Sequence, residues 1–372
     1  METKFNNFIQ KQKLCQPEDK ILLAVSGGID SVVMLDLFIK AGYLCSIAHC
    51  NFKLRGKESD EDEKFVSMLA KKYNVPVFTK SFNTSEFCKE KNISVQMAAR
   101  ELRYNWFNFL IKKYHFNCIA IAHNANDSIE TFFINLTRGT GISGLTGITA
   151  KTERIIRPLL FAFRKDIETY CKKNKLQYRE DSSNKTTKYL RNKIRHEIIP
   201  AFCKLNKSFE KTMIENIEKI IETEKIFSDT IAKNKNKLLI KKGIHWLVEI
   251  EKIKMLTPIN TYLFEIFNEF GFNKDQIESI QNLLSSQTGK RIYSETHTLL
   301  RDRNYLIVEK NKPEKNSVIK IQSSTKKILK PLPLSFKIND ADKFQIIKNP
   351  QTACFDFDKI KFPLELRKWR IG

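Results

Sequence analysis

Eight cysteines stand in this 372-residue chain, yet no two form a Cys-x-x-Cys pair and their spacing is not that of a small secreted domain. Neither a zinc knuckle nor a disulfide framework is indicated. Also missing is the Gly-Lys-Ser/Thr ending with which a Walker loop handles a γ-phosphate; Gly289-Lys290, for example, is followed by Arg291. That argues against an NTPase hydrolysing the γ-phosphate. The start, Met1-Glu2-Thr3-Lys4-Phe5-Asn6-Asn7, lacks the apolar core of a signal peptide, and no apolar run approaches the length of a membrane span. A cytoplasmic chain with reduced thiols and no membrane partner is expected. Acidic residues are scarce beside basic ones, 42 against 65, and the net charge of +23 suits a polyanion such as nucleic acid. Compositional drift toward Lys, Asn and Ile is the bland alternative.

What is present is organised around Ile21 to Ile39. The unbroken apolar run Ile21-Leu22-Leu23-Ala24-Val25 reads as a buried parallel strand. It meets Ser26-Gly27-Gly28-Ile29-Asp30-Ser31 and then a helical pattern with Val32, Val33, Leu35, Leu37 and Phe38 apolar. The glycine pair lets the backbone turn sharply and bring N–H groups to an anion, and the helix aims the positive end of its dipole at the same point. Ser26 and Ser31 add hydroxyls. Asp30 is an anion where phosphate is expected, so it caps the helix or helps to hold a metal. An ordinary glycine-rich turn is the alternative reading.

The chain is long enough for two or three domains. Residues 1–20 read as a short amphipathic helix and a connection. Tyr43 to Ala48 is a second strand ending in His49-Cys50-Asn51-Phe52-Lys53-Leu54-Arg55-Gly56, and Glu58 to Tyr73 a helix whose acidic start suits its dipole better than a metal site. Val75 to Thr79 is a third strand, Ser94 to His115 a long helix with Arg100, Arg103 and Trp106, and Cys118 to Ala122 a fourth strand followed at once by His123, Asp127 and Glu130. Three strands thus end in polar clusters, and ligands bind at the carboxyl ends of strands in an open parallel sheet. Gly139-Thr140-Gly141-Ile142-Ser143-Gly144 fits the dinucleotide fingerprint literally, but a helical pattern precedes it where a strand is required. It reads instead as a loop beside the nucleotide, entered through Arg138, whose charge can neutralise a departing pyrophosphate. Arg154 to Leu160 reads as a last short strand and Phe163 to Asn174 as a helix. Around Tyr189 to His196, helical spacing puts Lys188, Arg191 and Arg195 on one face, either a polyanion contact or a solvated basic helix.

A helical, highly charged connector is expected from Asn206, without a Gly- or Ser-rich linker. Then comes a smaller α+β unit with helices at Asn260–Phe270 and Lys274–Ser285 and a hairpin of Arg291–Ser294 with Leu299–Val308. Strand-like runs follow at Val318–Ile321, Leu334–Ile338 and Phe344–Ile347, and the final Leu364 to Gly372 stops without a polar tail. The expected division is 1–205 catalytic, 206–243 connector, 244–312 a small α+β domain that binds the nucleic acid, and 313–372 a β-rich domain that is expected to be incomplete.

The hexapeptide Ser26 to Ser31 resembles the signature of the N-type ATP pyrophosphatases, the PP-loop family, which implies a Rossmann-like α/β domain that cleaves ATP between its α and β phosphates. Further motifs are similar to one branch, the tRNA(Ile)-lysidine synthetases. They are His49-Cys50-Asn51 with Leu54-Arg55-Gly56, Ala99-Arg100-Glu101-Leu102-Arg103-Tyr104, and His123 with Asp127, Glu130 and Thr131. Arg138-Gly139-Thr140-Gly141 with Gly144-Leu145, Arg157-Pro158-Leu159, and Asp181-Ser182-Ser183-Asn184 with Arg191-Asn192 and Ile194-Arg195 complete the set. One departure is Asn126, where an acidic neighbour to Asp127 is expected in many relatives.

The resemblance implies a reaction in which ATP adenylylates the wobble cytidine of an isoleucine tRNA with a CAU anticodon, and free lysine then displaces AMP. It implies ATP contacts at Ser26, Gly27, Gly28, Ile29, Asp30, Ser31, His49, Asn51, Arg55 and Arg100, Mg²⁺ at Asp30, and catalytic roles for Asp30, Asp127, Glu130 and Arg138. Asp127 and Glu130, three apart on one helix face, suit the lysine substrate, with capping or metal holding as the alternative. Lys188, Arg191 and Arg195 would meet the tRNA. The oligomeric state is open, a homodimer included. Amidating PP-loop enzymes have no use for the charge, and thiolating ones generally need paired cysteines. Chromatography of the nucleotide products should show AMP and pyrophosphate; ADP with phosphate would contradict the assignment. Asp30→Ala or Ser31→Ala should remove turnover with little loss of fold.

Overall fold

The computed structural model describes residues 1–180, 190–311, 319–329, 332–340, 345, 349 and 351–366. Its contacts divide the chain into two compact units, Met1–Thr230 and Ile231–Gly372. The first begins with α1 (Glu2–Lys11), β1 (Lys20–Ala24), α2 (Ile29–Lys40), β2 (Leu44–Asn51), α3 (Lys57–Tyr73) and β3 (Val77–Ser81). It continues through α4 (Thr84–Lys91), α5 (Val95–Tyr114), β4 (Cys118–Ile121), α6 (Ala125–Arg138), β5 (Lys151–Thr152), β6 (Ile155–Ile156) and α7 (Arg164–Lys173). After α8 (Leu190–Lys193), a π-helical turn at Ile194–Ile198 and α9 (Ile199–Leu205), the long α10 (Phe209–Leu238) passes into the second unit.

The sheet order is β3-β2-β1-β4-β6-β5, with every pairing parallel except that of β5. The unbroken apolar run of β1 has a simple cause, because both faces of the strand are covered. Ile21 and Leu23 enter one core with Phe5, Ile9 and Phe38, while Leu22 enters the other with Trp106, Phe107 and Ile119. Gly27, in the loop that follows, sits at φ +94°, and a Cβ there would meet Phe65 at 3.4 Å, so the position favours glycine.

In the second unit β7 (Leu239–Lys242), β8 (His245–Glu249), β9 (Arg291–Tyr293), β10 (His297–Asp302) and β11 (Tyr305–Lys310) form an antiparallel sheet of order β7-β8-β11-β10-β9. Its apolar face packs on α11 (Ile250–Lys254), α12 (Ile259–Phe267) and α13 (Ile277–Leu283) through Leu263, Ile266, Phe267, Leu299 and Leu306. Beyond it β12 (Ile319–Ile321) pairs with β15 (Leu364–Leu366), and β13 (Lys327–Ile328) with β14 (Leu334–Ser335). No helix among the described residues is long and apolar enough to cross a membrane.

Two expectations about elements are corrected. Leu299–Val308 is not one strand but the hairpin β10–β11, because the chain reverses at Arg303, whose φ is 38°. The segment before residue 244 is not helical throughout, since β7 and β8 form a hairpin turning at Gly243. The expected Phe344–Ile347 strand lies outside the described residues apart from Gln345, which is not in a strand. Asp181 to Asn184, Lys188 and the run after Leu366 also lie outside them.

Helices on one face of the first sheet are tied by a buried acid. Asp36, 4% exposed, accepts from Tyr73 Oη of α3 at 2.9 Å and Tyr170 Oη of α7 at 2.7 Å, and pairs with Lys40 at 3.0 Å. Asp36→Ala would strand two phenols and an ammonium, so urea denaturation should show a loss of about 3 kcal/mol.

Candidate active site

Strands β1, β2 and β4 are parallel neighbours, so their carboxyl ends share one edge, and the sheet order reverses between β1 and β4. The loop at that edge is internally braced: Ser31 Oγ donates to Gly28 O at 2.8 Å and accepts from Ser26 N at 3.2 Å, while Gly28 N donates to Ser26 Oγ at 3.3 Å. Asp30 crosses the switch point. Its Oδ1 accepts from Asn124 Nδ2 at 2.9 Å and its Oδ2 pairs with Arg164 Nη1 at 2.7 Å. Burial pushes the Asp30 carboxyl upward, against the pull of Arg164 and Asn124.

His49, 4% exposed at the end of β2, places Nδ1 2.9 Å from Val25 O. A carbonyl only accepts, so Nδ1 carries the proton and Nε2, buried without a partner, is an unused acceptor. Burial lowers the pKa of this imidazole. Asn51 and Arg55, expected at ATP, are held by acids of α3. Asn51 Nδ2 donates to Asp60 at 2.9 Å and Glu63 at 2.8 Å, and Arg55 pairs with Asp62 at 2.8 Å. Both are engaged by the acidic start of α3, whose charges call for donors. Arg179 joins them, pairing with Asp62 at 2.5 Å and Glu61 at 2.8 Å while its backbone N–H donates to Gly27 O at 3.0 Å.

After β4, Asn124 and Asp127 cap α6 reciprocally: Asp127 N donates to Asn124 Oδ1 at 3.1 Å and Asn124 N to Asp127 Oδ2 at 3.0 Å. One turn on, Glu130 is 1% exposed. A buried carboxylate needs a cation, and Arg191 and Arg195 supply it, Nε to carboxylate at 2.8 and 2.5 Å, with Asp127 Oδ1 3.4 Å from Arg195. The two arginines expected to meet the tRNA from one face of a basic helix turn onto the expected lysine-binding carboxylates, Arg195 from the π-helical turn. Arg100 lies over the Tyr104 ring at 4.8 Å. Arg138 is exposed at the far end of α6, about 16 Å along the helix from Asp127. The Gly139 to Gly144 segment follows that helix, as the sequence indicated. Asn126 donates to Glu210 of α10 and accepts from Arg164 N at 2.9 Å, bonds that an acidic residue there could not both make.

Sequence reasoning missed Asn124, Arg164 and Arg179. The spacing of Asn124 and Asp127 was a readable cap signal, whereas the arginines lie 134 residues from Asp30 and 117 from Asp62 with no local pattern to mark them. All eight cysteines are free, and burial pushes Cys15 to about 11 and Cys45, Cys50 and Cys118 to about 12. No three His, Cys, Asp or Glu among the described residues form a metal-holding group.

A phosphate-type loop at the switch point of a Rossmann-like sheet defines the class, an ATP-using PP-loop domain. The family model for a PP-loop domain matches residues 1–202, and the model for the TilS substrate binding domain matches residues 241–312. The tRNA(Ile)-lysidine synthase of Bacteroides thetaiotaomicron is 38% identical over 98% of this chain and 82% of its own length; that of Parabacteroides distasonis is 35% identical over 98% and 83%. The chain belongs to the tRNA(Ile)-lysidine synthase family. Among solved structures, the U34-tRNA thiolase of Methanococcus maripaludis shares the fold at a TM-score of 0.50 and 17% identity, over 59% of this chain and 78% of that one.

Guanidiniums crowd the end of β4. Arg157 Nε donates to His123 Nδ1 at 3.2 Å and Nη1 to Thr149 O at 2.7 Å. Burial, with Arg157, Arg191 and Arg103 opposing protonation against Asp127, pulls the His123 pKa down to about 4. A depressed base contributes stability that is present above its unfolded value and lost as pH falls toward the folded one. In urea titrations, His123→Gln should therefore lose about 3 kcal/mol less than the native chain between about pH 6.5 and 4. Equal losses would show that folding leaves the His123 pKa unshifted.

Proposed function

We propose that this chain is a carbon–nitrogen ligase that adenylylates the wobble cytidine of an isoleucine tRNA and joins free lysine to it, releasing AMP and pyrophosphate in the cytoplasm. The observation that carries the reading is the edge where the Ser26–Ser31 loop and the Asp127–Glu130 carboxylates meet through Asp30 and Asn124. An anion site and a site for a cationic amino acid are thereby adjacent. The N–H groups of Gly27 and Ile29 and the Ser26 hydroxyl receive the phosphates, with Gly28 N–H and the Ser31 hydroxyl joining them as the internal bonds of the loop are exchanged for phosphate oxygens, and the unused His49 acceptor takes a donor of the nucleoside. Arg100, exposed at the same edge, stabilises charge on the pyrophosphate, with Arg138 as a second cation if its loop closes. The donor set fits magnesium, which takes one or two carboxylates and fills its shell with phosphate oxygens. Asp30, close enough to feel the charge of Asp127, would hold it, and it would neutralise charge on the leaving group.

Asp127 orients the lysine amine, with Glu130 behind it. Arg191 and Arg195, held by those acids, present spare donors to the amino-acid carboxylate, and Lys188 meets the tRNA. Sulfur transfer fits less well, because the raised thiols of Cys15, Cys45, Cys50 and Cys118 disfavour thiolates.

A single-turnover incubation without lysine, followed by a lysine chase, separates the two steps. Asp127→Ala should form adenylylated tRNA within about threefold of the native rate but slow the chase by about 100-fold, the range of a lost acid–base group. Loss of adenylylation with normal lysine binding would assign Asp127 to the phosphate machinery instead.

A further inference from the structure

The peptide joining Gly27 to Gly28 has glycine on both sides, so it can turn over at little cost, since neither neighbour carries a Cβ to resist the change in φ and ψ. Its orientation matters, because a planar trans peptide points its carbonyl and its N–H in opposite directions. In the structure Gly28 N–H faces the Ser26 hydroxyl at 3.3 Å, on the side where the loop would meet phosphate. Turned over, the same peptide would offer that side a carbonyl oxygen, an acceptor set against an anion.

What holds the carbonyl away is Arg179, whose backbone N–H donates to Gly27 O at 3.0 Å. Arg179 lies in residues 176–180, which belong to no helix or strand, so no ladder or helical turn keeps that N–H in place. Its side chain does so instead. Nε reaches Asp62 Oδ1 at 2.5 Å and Nη2 reaches Glu61 Oε2 at 2.8 Å, both on α3. Asp62 is 9% exposed and gives its other oxygen to Arg55 at 2.8 Å. The same face of α3 underlies the loop: a Cβ on Gly27 would lie 3.4 Å from Phe65 and 3.7 Å from Val66, three and four residues after Asp62. One helix face thus supports the glycine and grips the arginine that holds its carbonyl.

We propose that Arg179 is a positioning residue for the nucleotide: its guanidinium, fixed by Asp62 and Glu61, sets its own backbone N–H to hold the Gly27 carbonyl, and so keeps the Gly28 N–H turned to the phosphates of ATP. The inference rests on the reading that the Ser26–Ser31 loop receives ATP. Arg179 acts through Gly27 rather than on the substrate. A forked guanidinium suits the task, since two carboxylates fix both its position and its plane, whereas an ammonium would be held as a point charge.

Steady-state adenylylation of an isoleucine tRNA transcript by the whole chain, with ATP and lysine varied in turn, tests it. Arg179→Ala is expected to raise the apparent KM for ATP about tenfold, the weight of one bond to a charged group, while kcat and the KM for lysine stay within about threefold. Adding Gly28→Ala supplies a readout that a merely structural ion pair would not move. Gly28 sits at φ −72°, which alanine accepts, and a Cβ there would meet Ser26 Oγ at 3.5 Å, an ordinary contact. The turned-over peptide would carry that residue to positive φ, which alanine resists, so the rise in KM caused by Arg179→Ala should shrink below about threefold in this background. Should Arg179→Ala fold poorly by its urea midpoint, Arg179→Lys decides, with a rise of about threefold, because the charge remains and the fork is lost. An unchanged KM for ATP in a folded variant overturns the proposal and leaves the ATP reading standing, as does a rise that Gly28→Ala fails to shrink. Kinetic constants that all worsen in step with the urea midpoint mark a structural ion pair and also overturn it. A native chain that forms no AMP and pyrophosphate from ATP overturns both.

Discussion

The candidate site depends on the need to compensate Asp30. Its side chain is three-quarters buried at the first turn of α2, beside a loop shaped for anions, where an uncompensated negative charge would repel both burial and phosphate. The two compensating groups come from different places, Asn124 at the end of β4 and Arg164 at the start of α7. One carboxylate thus fixes the loop against the adjacent strand and against the following helix. Each partner has a second bond: Asn124 caps α6 through Asp127, and Arg164 reaches Glu168 at 2.9 Å. The geometry of the nucleotide loop and that of the Asp127–Glu130 turn are therefore set together.

The parallel sheet was legible because its strands are buried on both sides and leave apolar runs that nothing else explains; β1 and β4 are the clearest. Elements with weaker burial were read less well. Leu299–Val308 looked continuous because its apolar residues run through the reversal, and only Arg303 in a left-handed conformation marks the turn. The β7–β8 hairpin was hidden by a lysine-rich sequence that continues the charged composition of α10.

The site was legible as a set of positions but less so as a set of bonds. Polar clusters after three strands gave Ser26, His49, Asp127 and Glu130, because topology alone sends such ends to one edge. Which side chain answers which charge is a tertiary question. Arg191 and Arg195 have the spacing of a basic surface stripe, and nothing local reveals that a carboxylate 61 to 65 residues earlier is buried beneath them. Asn51 and Arg55 looked available to ATP for the same reason. The acids of α3 claim them, and those acids were visible only as a favourable start to a helix.

The excess of cations at the β4 edge bears on the second step of the proposed reaction. A free lysine amine titrates near about 10.4, so presenting it neutral at about pH 7 costs about 4.6 kcal/mol. A site built only of carboxylates would hold lysine tightly and raise that cost, since opposite charge stabilises the ammonium. Here Arg191 and Arg195 already offset Glu130, and Arg103 and Arg157, which have no ion-pair partner among the described residues, oppose a charge on His123. The local field therefore disfavours a second full positive charge, and it adds to the burial that lowers the pKa of His123. The same field favours developing negative charge on AMP and pyrophosphate. Asp127 then needs only to orient the amine, while neighbouring cations help it lose its proton, and the pairing that looks like self-blocking of the acids becomes a way of binding lysine without overstabilising its inert form.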